Sequence, residues 1–281
     1  MGDTTAVLAE LLSPERLTAV VDIGANPIDG DPPYKWMLER GLCTVTGFEP
    51  QPDALQTLLD RAGPLETYLH HAIGDGDTHL LQVTASSGMT SLLEPDPLRL
   101  ALFNGFSDWG HVTERVSVAT TRLDDVKEIN ALDLLKIDVQ GAELMVFRHG
   151  VETLREAVAV QTEVSFIPLY KEQPSFGAVD LELRSQGFVP HAMPALKRWA
   201  IAPVIYGGEF RRPKHQLLEA DMVYVRDFAH PELMSDAQLT HLALIADAVY
   251  GSSDLACRCL IALAERGAVP ASAPATYLAT V

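Results

Sequence analysis

Apolar residues along most of this chain come in short β-branched runs separated by amphipathic stretches, the pattern of strands alternating with helices. Helical spacing over residues 4–12, stopping at Ser13-Pro14, predicts a short covering helix. The runs at 17–23 and 43–48 read as strands, and residues 33–40 between them as a helix closed by Gly41. Such a βαβ unit makes its two strands parallel, with a right-handed crossover. A helix over 53–61 closed by Gly63-Pro64 follows, then a third strand over 66–73 and a turn at Gly74-Asp75-Gly76-Asp77. Residues 79–83 and 115–121 predict further strands, and between them runs a long irregular segment containing Ser86-Ser87-Gly88-Met89-Thr90-Ser91.

A fourth core strand is expected over 132–139, a helix over 142–148 ended by Gly150, and a fifth strand over 157–166. A helix over 176–185 closed by Gly187 leads to strands at 188–192 and 220–226. Five parallel units and a closing hairpin predict a Rossmann-like α/β fold, a mostly parallel seven-stranded sheet with helices on both faces. Beyond Pro231 the pattern changes to two helices, at about 236–250 and 253–266, each with an N-terminal Ser or Asp and a Gly beyond its end. The expected division is an N-terminal helix over 1–17, a core domain over 18–228 and a C-terminal helical extension over 229–281 that covers the core or forms a homo-oligomer contact.

With 281 residues and 47% hydrophobic content the chain can bury a full core. No stretch approaches the roughly 18 to 20 apolar residues that span a bilayer, and the start Met1-Gly2-Asp3-Thr4-Thr5 lacks the features of a signal peptide. A cytoplasmic protein without a membrane partner is therefore expected. The three cysteines have neither metal-ligand nor redox-motif spacing and read as packed thiols. A net charge of −17 repels polyanions, which argues against nucleic acid and for a small-molecule acceptor. One stretch departs from that balance: Lys197, Arg198, Arg211, Arg212 and Lys214 crowd together, as if to meet an acceptor bearing phosphate or carboxylate.

In an open α/β sheet ligands bind outside the carboxyl ends of the strands, and here those ends are polar. The first strand delivers Asp22 and the glycine turn Gly24-Ala25-Asn26, where backbone can approach a ligand. The second delivers Glu49, a carboxylate able to accept both hydroxyls of a ribose, and the third Asp75, placed to meet an adenine amine. The turn lacks the further glycines of a G-x-G-x-x-G pyrophosphate cradle. On the fourth strand Lys136 and Asp138 share one face, a costly arrangement unless the charges are paired or functional.

These residues resemble the FkbM family of S-adenosylmethionine-dependent methyltransferases. The resemblance rests on Asp22-Ile23-Gly24-Ala25-Asn26, Phe48-Glu49-Pro50, Ile73-Gly74-Asp75, Leu123-Asp124-Asp125 and Leu135-Lys136-Ile137-Asp138-Val139-Gln140-Gly141-Ala142-Glu143, and covers about residues 18–228. It implies a class I methyltransferase fold, S-adenosylmethionine as cofactor, and O-methylation of a sugar or polyketide-type acceptor. Where the family continues into a helix, Pro27-Ile28-Asp29-Gly30-Asp31-Pro32-Pro33-Tyr34 interposes a proline-rich loop.

A sugar hydroxyl must lose its proton to attack a sulfonium, so a base or a divalent cation such as magnesium is needed beside it. Asp138 is the first choice for contact with that hydroxyl and Glu163 the second. The two can converge on a hard cation, or Lys136 can simply neutralise Asp138. Glu143 either complements the start of its own helix or touches ligand. His71 and His111 are the other candidate bases. Phe103-Asn104-Gly105-Phe106-Ser107-Asp108-Trp109-Gly110-His111 reads as a lid or acceptor wall, or as a satellite hydrophobic cluster. Two rivals share the sheet: an NAD-dependent oxidoreductase, and a non-catalytic binding module.

Overall fold

The computed structural model describes residues 2–26 and 30–281. The elements run α1 (Gly2–Leu12), β1 (Thr18–Ile23), α2 (Lys35–Glu39), β2 (Cys43–Phe48), α3 (Pro52–Arg61), β3 (Glu66–Leu69), β4 (Ala72–Gly74) and β5 (Thr78–Thr84). Then come α4 (Pro97–Leu100), α5 (Phe106–Trp109), β6 (Val112–Arg122), β7 (Leu134–Ile137), α6 (Glu143–Arg148), α7 (Val151–Leu154) and β8 (Ala159–Ser165). The chain closes with α8 (Phe176–Ser185), β9 (Phe188–Trp199), β10 (Gln216–Arg226), α9 (Asp236–Ala248), α10 (Ser253–Glu265) and α11 (Ala273–Leu278).

Seven strands form the main sheet in the order β3-β2-β1-β7-β8-β10-β9. The pairs from β3 through β8 are parallel, and β10 runs antiparallel to both β8 and β9. This is the Rossmann-like α/β fold that the strand and helix pattern predicts. The period of two along the strands sorts their side chains into two cores. Val20, Leu134, Val223 and Val225 meet α1, α9, α10 and α11 on one face, through Leu8, Leu242, Leu260 and Tyr277. Val21, Leu135, Met222 and Tyr224 meet α6 and α8 on the other, through Phe147, Val179 and Leu183. The C-terminal helices thus spend their apolar faces on the sheet. Asp247 ties them to α1, accepting from the Tyr277 hydroxyl at 2.5 Å and from the Thr5 hydroxyl.

Two strand boundaries depart from the sequence pattern. The third strand, expected unbroken over 66–73, stops at Leu69, and Ala72–Gly74 pairs instead with Thr120–Arg122 of β6 in a separate three-stranded sheet. The partner strand β2 explains the break: it runs into Glu49-Pro50, and a proline has no N–H for a further ladder bond. His70 turns the corner by donating to the Pro50 carbonyl at 2.7 Å. The closing hairpin is also longer than expected, reaching Trp199 and Gln216. β9 is the sheet edge, where Pro194 is tolerated beside a register shift.

Candidate active site

One cavity of about 1120 Å³ opens along the carboxyl ends of β1, β2, β7 and β8. Its wall includes the predicted residues Asp22, Gly24, Ala25, Asn26, Glu49, Pro50, Ile73, His71, Lys136, Asp138 and Glu163. Of the proline-rich loop, Gly30, Asp31, Pro32, Pro33 and Tyr34 also line it, while Pro27, Ile28 and Asp29 lie outside the described residues.

The turn after β1 is held by both neighbouring strand ends. Phe48 O accepts from the Gly24 amide at 3.0 Å, and Ile23 O accepts from the Asp138 amide at 3.0 Å. Gly24 has φ +76°, and a Cβ there would stand 2.0 Å from the Asp138 carbonyl oxygen, so no other residue fits this approach. Asp22 is buried and its two oxygens are engaged. Tyr34 donates to Oδ2 at 2.6 Å, and Lys136 Nζ lies 3.2 Å from Oδ1 while donating to Gly24 O at 3.1 Å. Lys136 therefore pairs directly with Asp22, on the adjacent strand, whereas Asp138, on its own strand face, is not within ion-pair distance and interacts with it only through space. Burial pushes the Lys136 ammonium down, but Asp22 and Asp138 outweigh it, and its pKa lies above the ordinary lysine value.

Glu49 is also buried, and Oε1 accepts the Gln51 amide at 2.8 Å. Among the described residues Oε2 has no hydrogen-bond partner. Burial raises the pKa of this carboxyl, against the Gln51 hydrogen bond and the charge of Lys136. An unpaired carboxylate oxygen in a cavity wall asks for donors from a ligand, and a ribose diol supplies two.

At the other end of the wall four side chains interlock. Gln140 Nε2 donates to Asp138 Oδ1 at 2.8 Å and to Glu163 Oε2 at 3.1 Å, and its Oε1 accepts from the Tyr170 hydroxyl at 3.3 Å. The Gln140 backbone is left-handed at φ +54°, and Ser91 Oγ donates to its carbonyl at 2.7 Å. Burial and the facing carboxylates Glu219 and Asp138 push Glu163 well above the usual carboxylate range, with Lys197 opposing at 3.6 Å. Asp221, also on the wall, is raised by burial and by Asp138.

Several predicted residues sit elsewhere. Asp75 is carried off by the broken strand and is not part of the cavity wall. It serves the β4–β5 turn, with Oδ1 accepting from the Asp77 amide at 2.9 Å and from His79 Nε2 at 2.8 Å. Burial works to raise its pKa, but those bonds bring it down to about 2. His111 is exposed and outside the cavity, so the structure does not offer it as a base. The aromatics Phe103, Phe106 and Trp109 pack on Trp199 and Leu100 as a satellite core, whereas Ser87, Gly88, Thr90, Ser91 and Leu92 reach the cavity. Glu143 caps its own loop, Oε1 accepting the Val139 and Gly141 amides at 3.0 and 3.1 Å.

Two further expectations concern charge. Of the five clustered cations only Lys197 lines the cavity, and its ammonium lies 2.7 Å from Glu219, so an anionic acceptor loses the contact proposed for it. Between Asp138 and Glu163 the Gln140 amide occupies the bridging place expected for magnesium. Among the described residues no group of three or more His, Cys, Asp or Glu is disposed to hold a metal ion. Nor is any helix among them long and apolar enough to cross a membrane.

Sequence reasoning missed Gln161, Tyr170, Asp221 and the roles of Tyr34 and Gln140, of which Tyr34 stood in the quoted proline-rich loop and Gln140 in the quoted strand motif.

A Rossmann-like sheet with a glycine turn after β1 and a carboxylate after β2 is the frame of a nucleoside-binding α/β protein. Residues 22–190 match the Methyltransferase FkbM domain, more than half of the chain, and the protein belongs to that family of S-adenosylmethionine-dependent methyltransferases. It is 29% identical over 180 residues to the 2-O-methyltransferase NoeI of Sinorhizobium fredii, an alignment covering 57% of this chain and 68% of that one. Magnesium protoporphyrin IX methyltransferase from Synechocystis with bound SAM aligns over 80% of this chain and 78% of its own, at 12% identity and a TM-score of 0.38. Precorrin-6y C5,15-methyltransferase from Geobacter metallireducens aligns over 79% and 87%, at 10% identity and a TM-score of 0.37. The nicotinamide reading has no support in the family match.

Proposed function

We propose that the protein transfers a methyl group from S-adenosylmethionine to a hydroxyl of a neutral sugar or glycoside, forming an ether. The observation that carries this is the layout of the cavity, with the half-paired Glu49 carboxylate after β2 and the cluster of Asp138 and Gln140, after β7, with Glu163 of β8. When bound, S-adenosylmethionine supplies an electrophilic methyl on a sulfonium. Glu49 accepts the ribose hydroxyls, and the Gly24 turn brings backbone against the ligand. Asp138 Oδ2, which has no partner among the described residues, takes the proton of the attacking hydroxyl. Gln140 holds Oδ1 and so fixes the direction in which Oδ2 points. Donors (Gln161, Lys197) and acceptors (Asp138, Asp221) share this part of the wall, which suits hydroxyls, each able to give and take a hydrogen bond. The relative NoeI, named a 2-O-methyltransferase, supports the same acceptor atom.

The test incubates the protein with methyl-labelled S-adenosylmethionine and panels of neutral glycosides, sugar phosphates, amines and carboxylic acids. The expected product carries label on a neutral glycoside and keeps it in mild alkali, as an ether does. Label lost in alkali, or found on nitrogen, refutes the assignment.

A further inference from the structure

The cations that do not line the cavity surround an unusual surface. The connection between β9 and β10 carries six consecutive apolar residues, Ile201-Ala202-Pro203-Val204-Ile205-Tyr206, and all but Ala202 are exposed. Runs of this kind on a water-facing loop are avoided unless something covers them. Arg198 precedes the run, and Arg211, Arg212 and Lys214 follow it, with Glu209 the single acid from 197 to 216. None of these four cations has a carboxylate within ion-pair distance among the described residues. Arg211 lies over the Trp109 and Phe210 rings at 5.0 and 5.5 Å, and Lys214 over Tyr206 at 4.2 Å, so aromatic and cationic groups share one face.

We propose that this hairpin tip docks the enzyme on an anionic lipid bilayer, the apolar run entering the headgroup region and the four cations meeting lipid phosphates. An apolar wedge framed by aromatics and basic residues is the composition that binds such an interface. The rest of the chain is strongly acidic and is repelled by that surface, which orients the molecule with the tip toward it. A two-fold contact between copies through the same tip sets like charges against each other, which disfavours a second chain as the occupant. Docking is peripheral and replaces the sequence-based expectation of no membrane partner, and it concerns the cavity because the same hairpin contributes Ala195 and Lys197 to the cavity wall.

Co-sedimentation with vesicles of phosphatidylcholine alone, or mixed equally with phosphatidylglycerol, tests the proposal. The wild type is expected to bind the mixed vesicles at least about tenfold better, and less as salt rises. Ile201→Ser/Val204→Ser/Ile205→Ser loses about tenfold or more of that binding, and Arg211→Ala/Arg212→Ala/Lys214→Ala about fivefold for each cation. A single Ile205→Trp variant gives an independent readout, its added fluorescence being quenched by brominated lipid on docking. The proposal is overturned if the wild type ignores phosphatidylglycerol at low salt, if the triple serine variant binds undiminished, or if the Ile205→Trp emission goes unquenched. It also fails if the serine substitutions dissociate a dimer seen by sedimentation velocity without lipid.

Discussion

Gln140 Nε2 lies 2.8 Å from Oδ1 of Asp138, two residues before it in the chain, because the left-handed backbone at Gln140 folds its side chain back over the end of β7. A donor of this kind stabilises the ionised carboxylate and leaves Oδ2 for the acceptor. Gln140→Ala removes it and leaves the Asp138 side chain free to turn, so kcat should fall about tenfold or more while S-adenosylhomocysteine binds as before. Asp138→Asn should go further, lowering kcat by about 10²–10⁴-fold at unchanged cofactor affinity. Full activity of that variant removes Asp138 from the mechanism.

Glu49 separates binding from chemistry. Its unpaired Oε2 is the expected ribose contact, so Glu49→Gln keeps the shape and gives up a charged acceptor for an amide. Titration calorimetry should show S-adenosylhomocysteine binding weakened about tenfold to a hundredfold, with kcat at saturation reduced less than kcat/KM. Undiminished affinity refutes the ribose contact.

How much of this was legible in the chain depends on how far each feature reaches. The strand ends carrying Gly24, Glu49 and Asp138 were legible, since each belongs to a local apolar run that stops at a polar residue. The place of Asp75 was not, because β3 and β4 are parted by pairing with β6, 48 residues further on. Tyr34 could not be assigned either, since its bond to Asp22 spans a loop whose path local pattern does not fix. Gln140 stood in the motif, but its contact with Glu163 depends on β7 and β8 being neighbours and on a left-handed backbone that no glycine announces.

Glu143 makes stability depend on pH in a defined window. Burial raises its carboxyl to about 7 in the folded protein, against 4.5 ordinarily, even though the Val139 and Gly141 amides donate to it. The folded state therefore holds this proton more tightly than the unfolded chain. Its contribution is fully present below about 4.5 and is lost as pH rises to about 7, a difference of about 3 kcal/mol. Urea midpoints of the wild type should fall across that window, and Glu143→Gln, which keeps an accepting Oε1 without the charge, should flatten the fall. An identical slope in both proteins refutes the assignment.

Lys136 is the cation that makes a buried Asp22 tolerable. Asp22 is 2% exposed, with Tyr34 on one oxygen and the Lys136 ammonium 3.2 Å from the other. Removing one partner of a buried pair leaves the other charge uncompensated, which costs about 3–5 kcal/mol. Lys136→Met should lower the urea-derived stability by that amount and release the Gly24 carbonyl it also holds, loosening the turn that lines the cavity. The double variant Lys136→Met/Asp22→Asn should recover much of the stability, because a neutral amide needs no counter-charge, while cofactor affinity stays low for want of the Gly24 contact. If the single variant is as stable as the wild type, or the second substitution restores nothing, the pair is not what secures the end of β1.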